Sequence, residues 1–84
     1  MINKEFLKKQ IIYRSTHRGT KEMDLLLGNF VKKYINILNE QDLNDLHDLL
    51  LFEDEIISRW YFDKKESNLI KNNKISQMLK AYNI

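Results

Sequence analysis

The chain contains no cysteine and no proline, and only two of its 84 residues are glycine. Without cysteine it can form neither a disulfide framework nor a thiolate metal site, which suits a reducing compartment. Strand-rich folds with many tight turns depend on glycine and proline, whereas uninterrupted helices are easily built without them. A chain of this length supports one hydrophobic core. The composition therefore predicts an all-α fold in a single domain over residues 1–84.

Long apolar runs are also missing. No stretch approaches the roughly 18 to 20 apolar residues that a membrane-spanning helix requires. The N-terminus does not show the basic, apolar and small-residue sections of a secretory signal. We therefore expect a cytoplasmic protein without direct membrane insertion.

Recognisable catalytic and cofactor-binding patterns are absent as well. The two histidines, His17 and His47, do not form a His-x-x-x-His pair. Neither glycine belongs to a glycine-rich loop of the kind that holds phosphates or dinucleotides, and no serine has a visible base partner. The sequence predicts no catalytic residue, no metal site and no cofactor bound by this chain itself, and hence a protein that is not an enzyme.

Apolar residues recur at helical spacing through the first half of the chain. The most regular run begins at Met23 and predicts a central helix over residues 20–38. A shorter helix is expected over residues 3–15, where Phe6 and Tyr13 are counted with its apolar positions. Both helices should bury one face against the rest of the fold.

Three further helices are predicted in the second half. Asn39 is a suitable N-cap for a third helix, and the acidic residues 53–55 mark the start of a short fourth helix in which Trp60 should anchor the core. A polar loop over residues 63–68 precedes a last helix over residues 69–82. Five short helices joined by short loops predict a compact, monomeric bundle.

Charge is distributed unevenly along the chain. Residues 1–39 hold eight Lys or Arg against three acids, residues 40–55 hold seven acids and no Lys or Arg, and residues 56–84 hold six Lys or Arg against two acids. Such a surface suits electrostatic steering toward a protein of mixed charge, and the acidic block would repel a phosphate backbone. An ordinary solvated surface explains the same pattern.

The segment between the first two predicted helices admits two interpretations. Gly19 can take left-handed backbone angles and so break the helix. In the first interpretation Arg18 covers the helix junction, while Glu22 and Asp24 complement the dipole of the next helix. In the second, Arg18 and Glu22 are displayed about one turn apart as a docking patch. The second interpretation predicts that Arg18→Ala and Glu22→Ala leave the thermal midpoint nearly unchanged.

The same segment resembles a known family. Residues 18–24, Arg-Gly-Thr-Lys-Glu-Met-Asp, match the hallmark of the flavinylation (FAD assembly) factors of succinate dehydrogenase, which is Arg-Gly-x-x-Glu followed by an apolar residue and Asp. The similarity extends over most of the chain, to Tyr13, Arg14, Ser15, His17, Leu25, Leu26, Gly28, Phe30, Leu49, Leu50, Asp54 and Trp60. Glu55 departs from the family pattern, in which proline is frequent at that place.

The resemblance implies a function and a site. It implies an assembly factor that binds the flavoprotein subunit of succinate dehydrogenase, or of fumarate reductase, and promotes covalent attachment of FAD to a histidine of that client. It also implies that the partner-binding residues are Arg18, Gly19, Glu22, Asp24 and His17. FAD would be held by the client.

Two other classes remain open on the residues alone. A helical adaptor for a different protein partner would look much the same apart from the motif. A helical DNA-binding module would use Lys32 and Lys33 of the central helix, but its acidic third helix would have to avoid the phosphate backbone. We therefore expect no nucleic-acid partner. Gly28 also stays unexplained, because a neighbouring helix or an external partner could each require a small residue there.

Overall fold

The computed structural model describes residues 3–65 and 68–83. These residues form five α-helices and no strand, which confirms the predicted all-α fold. The helices are α1 (Lys4–Thr16), α2 (Lys21–Tyr34), α3 (Glu40–Leu50), α4 (Asp54–Tyr61) and α5 (Lys74–Ala81). Residues 66 and 67 of the polar loop predicted at 63–68 lie outside the described residues.

Short polar side chains determine where four of the five helices begin. The side chains of Asn3, Thr20, Asn39 and Asn73 each accept a hydrogen bond from a backbone N–H of the following first turn. Such caps satisfy backbone donors that have no partner within the helix. Asn39 was the N-cap expected from the sequence, and it forms a reciprocal capping box.

Two helices are shorter than the periodicity predicts. α2 ends at Tyr34, four residues early, and a turn over 35–37 follows in which the Ile37 N–H donates to the Tyr34 carbonyl at 3.0 Å. α5 begins five residues late, because the capping box of Asn73 determines its start. Leu38 and Ile70, outside these helices, are nevertheless buried. Apolar spacing therefore identified Leu38 as a core residue beyond the end of α2, whereas Ile70 was not among the apolar positions that predicted the last helix.

The core lies where α1 packs on α2 and α3, and where α3 packs on α5. Trp60 belongs to it, as expected, with 5% of its surface exposed. Phe6 and Tyr13 do not, since they are 54% and 62% exposed. The expectation for these two residues was wrong because α1 buries a single narrow stripe with a spacing of four residues: Leu7, Ile11 and Ser15.

Candidate functional site: a braced hinge between the first two helices

Residues 17–20 connect α1 to α2, and we call this segment the hinge. Its most buried side chain is that of Arg18, which is only 8% exposed. The guanidinium Nε donates to Asp54 Oδ1 at 2.6 Å, in an ion pair with the first residue of α4. Its Nη1 and Nη2 donate to the carbonyls of Leu50 and Phe52 at 2.7 and 2.6 Å. Arg18 thus braces the hinge against the end of α3 and the start of α4.

This geometry corrects the expectation that the Arg18 side chain is displayed to a partner. The guanidinium faces inward, and its planar set of donors matches one carboxylate and two carbonyls. A lysine ammonium group could not make the same three contacts. The expectation that Arg18→Ala leaves the thermal midpoint unchanged is therefore revised. The residue in the sequence that could have indicated an inward Arg18 was Asp54, an acid at the predicted start of the fourth helix. Asp54 lies outside the motif.

Gly19 is the second contact of the hinge with α4. Its backbone N–H donates to Asp54 Oδ2 at 2.6 Å. Gly19 does not have a positive φ, so the expected left-handed turn is wrong. A Cβ at this position would lie 3.0 Å from the same Oδ2 atom, so a larger residue would have to displace the carboxylate that holds the hinge.

The two acids of the motif have different environments. Asp24 is half-buried, and its Oδ1 accepts a hydrogen bond of 2.7 Å from the Arg18 N–H. Glu22 is exposed in the first turn of α2, where a carboxylate also complements the helix dipole. Asp24 therefore holds the hinge from within, while Glu22 is available to solvent.

His17 lies on the exposed side of the hinge. Its ring stacks on that of Tyr13, with centroids 3.9 Å apart and an interplanar angle of 19°. The Nδ1 atom is 2.8 Å from the Tyr13 carbonyl oxygen, which fixes the ring orientation. Sequence reasoning had placed Tyr13 with the apolar positions and so missed this aromatic pair. We call the exposed residues Tyr13, His17, Gly19 and Glu22 the hinge surface.

Gly28 lies beside the C-terminal end of α1. A Cβ added there would be 3.7 Å from the Ser15 carbonyl oxygen and from Thr16 Cγ2, which is ordinary van der Waals contact. Helix packing therefore does not require glycine at this position. Gly28 also lines an open groove between α1 and α2, together with the exposed side chains of Ile12 and Leu25.

Part of the acidic segment 40–55 is used inside the fold. Asp42 is buried, accepts from the Asn39 N–H, and pairs with Lys74 Nζ at 3.1 Å. Asp54 holds the hinge, and Glu55 pairs with Arg59 on the surface at 2.6 Å. The acidic side of the bundle is therefore less uniform than the sequence suggests.

Within residues 3–65 and 68–83, no group of three or more His, Asp or Glu side chains is placed to hold a metal ion. None of the helices in this part of the chain is long and apolar enough to cross a membrane. The described residues thus define a small all-α protein that presents a rigidly braced hinge to solvent.

Comparison with known proteins identifies the family. Residues 9–83 match the family model described as flavinator of succinate dehydrogenase, and the chain belongs to that family. The resemblance inferred from residues 18–24 is thereby confirmed. No solved structure matches the chain significantly.

Several curated relatives carry corresponding names. The mitochondrial succinate dehydrogenase assembly factor 2 of Dictyostelium discoideum is 42% identical over 62 residues, which cover 74% of this chain and 44% of the relative. The FAD assembly factor SdhE of Acetobacter pasteurianus is 30% identical over 57 residues, covering 68% and 52%. The mitochondrial assembly factor 2-A of Drosophila willistoni is 35% identical over 81 residues, covering 93% and 51%. The chain spans about half the length of these relatives.

Proposed function

We propose that this protein is an assembly factor that binds the flavoprotein subunit of succinate dehydrogenase, or of fumarate reductase, and promotes covalent attachment of FAD to that subunit. The observation that carries the proposal is the family match over residues 9–83. The names of the relatives, which refer to succinate dehydrogenase assembly and to FAD assembly, agree with it.

We place the contact with the client at the hinge surface. The hinge backbone is held by two carboxylates, Asp24 and Asp54, so little conformational entropy remains to be lost on binding. Glu22 and His17 are exposed next to this rigid backbone. A rigid, exposed and mixed polar and aromatic surface is well suited to specific protein docking.

In this proposal the chain is not an enzyme. The covalent chemistry belongs to the flavin and to the histidine of the client. The factor contributes binding energy that favours a client conformation in which the histidine and the isoalloxazine ring are aligned, which is an effect of proximity and population shift. Cytoplasmic location stays a prediction, since the relatives include a mitochondrial protein and a protein of a bacterium. The monomeric state stays a prediction as well.

Replacement of the exposed acid of the motif tests the docking surface. Glu22→Ala is expected to weaken binding of the flavoprotein subunit about tenfold or more, as for an interface hot spot, and to leave the helical circular dichroism unchanged. In cells lacking the endogenous factor, the variant should reduce the covalent flavin that is seen as in-gel fluorescence of the denatured flavoprotein subunit.

Glu5→Ala is the matched control for this experiment. Glu5, like Glu22, is an exposed acid in the first turn of a helix, so both variants lose a similar dipole interaction. It lies at the opposite end of α1, roughly 16 to 18 Å from the hinge at 1.5 Å per residue. Full flavinylation with Glu22→Ala would show that the interface is elsewhere. Loss of flavinylation with both variants would show that the cause is the missing acid in the first turn of a helix and not a lost contact with the client.

The isolated protein is expected not to hold FAD tightly. Its sequence contains no glycine-rich loop after a strand, which is the usual cradle for a dinucleotide. Calorimetric titration with FAD should therefore give no stoichiometric complex. A one-to-one complex of sub-micromolar affinity would contradict the proposal that the factor acts only on its client.

A further inference from the structure

We propose that Asp54 is a positioning residue for client docking: it does not touch the client, but it holds the Gly19 backbone in the orientation that the hinge surface requires. This inference rests on the proposed function. Asp54 lies 35 residues from Gly19 in the sequence, on a different helix. It is outside the Arg-Gly-x-x-Glu motif.

Both carboxylate oxygens of Asp54 are committed to the hinge. Oδ1 accepts from Arg18 Nε and Oδ2 accepts from the Gly19 N–H, each at 2.6 Å. These distances are slightly shorter than the about 2.7–2.9 Å that is usual for an N–H donor and an ionised acceptor, a pairing stronger than one between neutral groups. The side chain is 22% exposed, so water competes only partly for the same oxygens. One carboxylate thus fixes a side chain and the next backbone N–H together.

The start of α4 has no side-chain cap. Side-chain caps are present at the start of the other four described helices, whereas Glu53, the N-cap of α4, makes no such bond. Asp54, the residue after this N-cap, directs its carboxylate to the hinge.

Docking should be sensitive to this contact because Gly19 is itself part of the hinge surface. Ordering a flexible backbone during binding costs conformational entropy and so reduces the affinity. A backbone that contacts a partner directly therefore binds more tightly when it is already oriented. Asparagine at position 54 offers one acceptor oxygen for two donors and removes the charge opposite Arg18. The amide NH2 group then opposes one of the two donors, and the neutral oxygen binds the other more weakly than a carboxylate does, so the bond to the Gly19 N–H is weakened or lost in either orientation of the amide.

Two measurements on Asp54→Asn test the inference. Selective ¹⁵N labelling of glycine should give two amide signals, since Gly19 and Gly28 are the only glycines. The Gly19 proton should shift upfield and exchange faster with solvent, while the Gly28 signal stays in place. Binding of the flavoprotein subunit should weaken roughly ten- to a hundredfold, the loss expected for a hydrogen bond to a charged group.

Two controls separate positioning from mere destabilisation. Glu55→Gln neutralises the adjacent acid, whose partner Arg59 is on the surface, and should leave both readouts unchanged. Ile75→Val removes a buried methyl group from α5, far along the chain from the hinge, and should lower the urea concentration at which the protein unfolds. All variants are compared at a temperature at which each is folded. If Ile75→Val weakens binding as much as Asp54→Asn does, the effect is one of stability and the inference fails.

The remaining outcomes are equally decisive. An unmoved Gly19 signal, or a moved signal with unchanged affinity, overturns the positioning role while the proposed function stands. If the unmodified protein itself does not bind the flavoprotein subunit, the proposed function fails, and the docking role of Asp54 fails with it.

Discussion

Arg18→Ala is expected to lower the free energy of unfolding by roughly 3 kcal/mol, the lower end of the range for breaking a buried ion pair by removing one partner. The substitution leaves Asp54 without its counter-ion and the carbonyls of Leu50 and Phe52 without a donor. Buried polar groups without partners are costly because they lose hydration without compensation. Urea denaturation followed by circular dichroism measures the effect.

Arg59→Ala is the control for that measurement. Arg59 forms its ion pair with Glu55 on the surface, where both side chains are largely exposed. Exposed pairs of this kind contribute about 0.3–0.5 kcal/mol. Arg18→Lys should be intermediate, since a single ammonium group cannot reproduce three divergent contacts. If Arg18→Ala unfolds at the same urea concentration as the unmodified protein, Arg18 does not brace the hinge in solution. That result would support the interpretation in which its side chain is displayed to a partner.

Trp60→Ala is expected to lower the free energy of unfolding by about 3–5 kcal/mol, the usual range for truncation of a large buried aromatic residue. The indole is nearly fully buried and belongs to the continuous core. Its removal from a short helix of eight residues leaves a cavity that neighbouring side chains can fill only partly. Urea denaturation again provides the test.

Phe6→Ala gives the comparison for Trp60→Ala, because Phe6 is also a large aromatic residue but is more than half exposed. A surface substitution of this kind usually changes stability by about 0.5 kcal/mol or less. A loss below 1 kcal/mol with Trp60→Ala would place the indole on the surface and make it a candidate for partner contact.

The fold was largely predictable because its determinants are local. Helical spacing of apolar residues, together with Asn39 as a cap, correctly indicated the number and order of the helices. The end of α2 and the start of α5 were less predictable. Leu38 reaches the core from non-helical backbone that continues the apolar pattern of α2, and the start of α5 depends on the cap at Asn73. Periodicity reports burial, and it identifies a helix end only where a cap or a turn is also recognised.

The candidate site was predictable in its location but only partly in its geometry. Residues 18–24 were correctly found between two helices, and Glu22 is exposed as expected. The direction of Arg18 was missed because its partners are 32 to 36 residues away in the sequence. The role of Gly19 was likewise misread as a turn requirement, whereas its contact is with Asp54.

The sequence by itself determined that the chain forms helices, that Asn39 begins the third of them, and the family motif, because each depends on residues within a few positions of one another. Only the tertiary structure decided that Arg18 turns inward and that Asp54 holds the hinge. A guanidinium leaves water only where acceptors from another part of the chain replace its hydration. Those acceptors are brought to the hinge by the packing of α3 against α1, which local patterns do not specify.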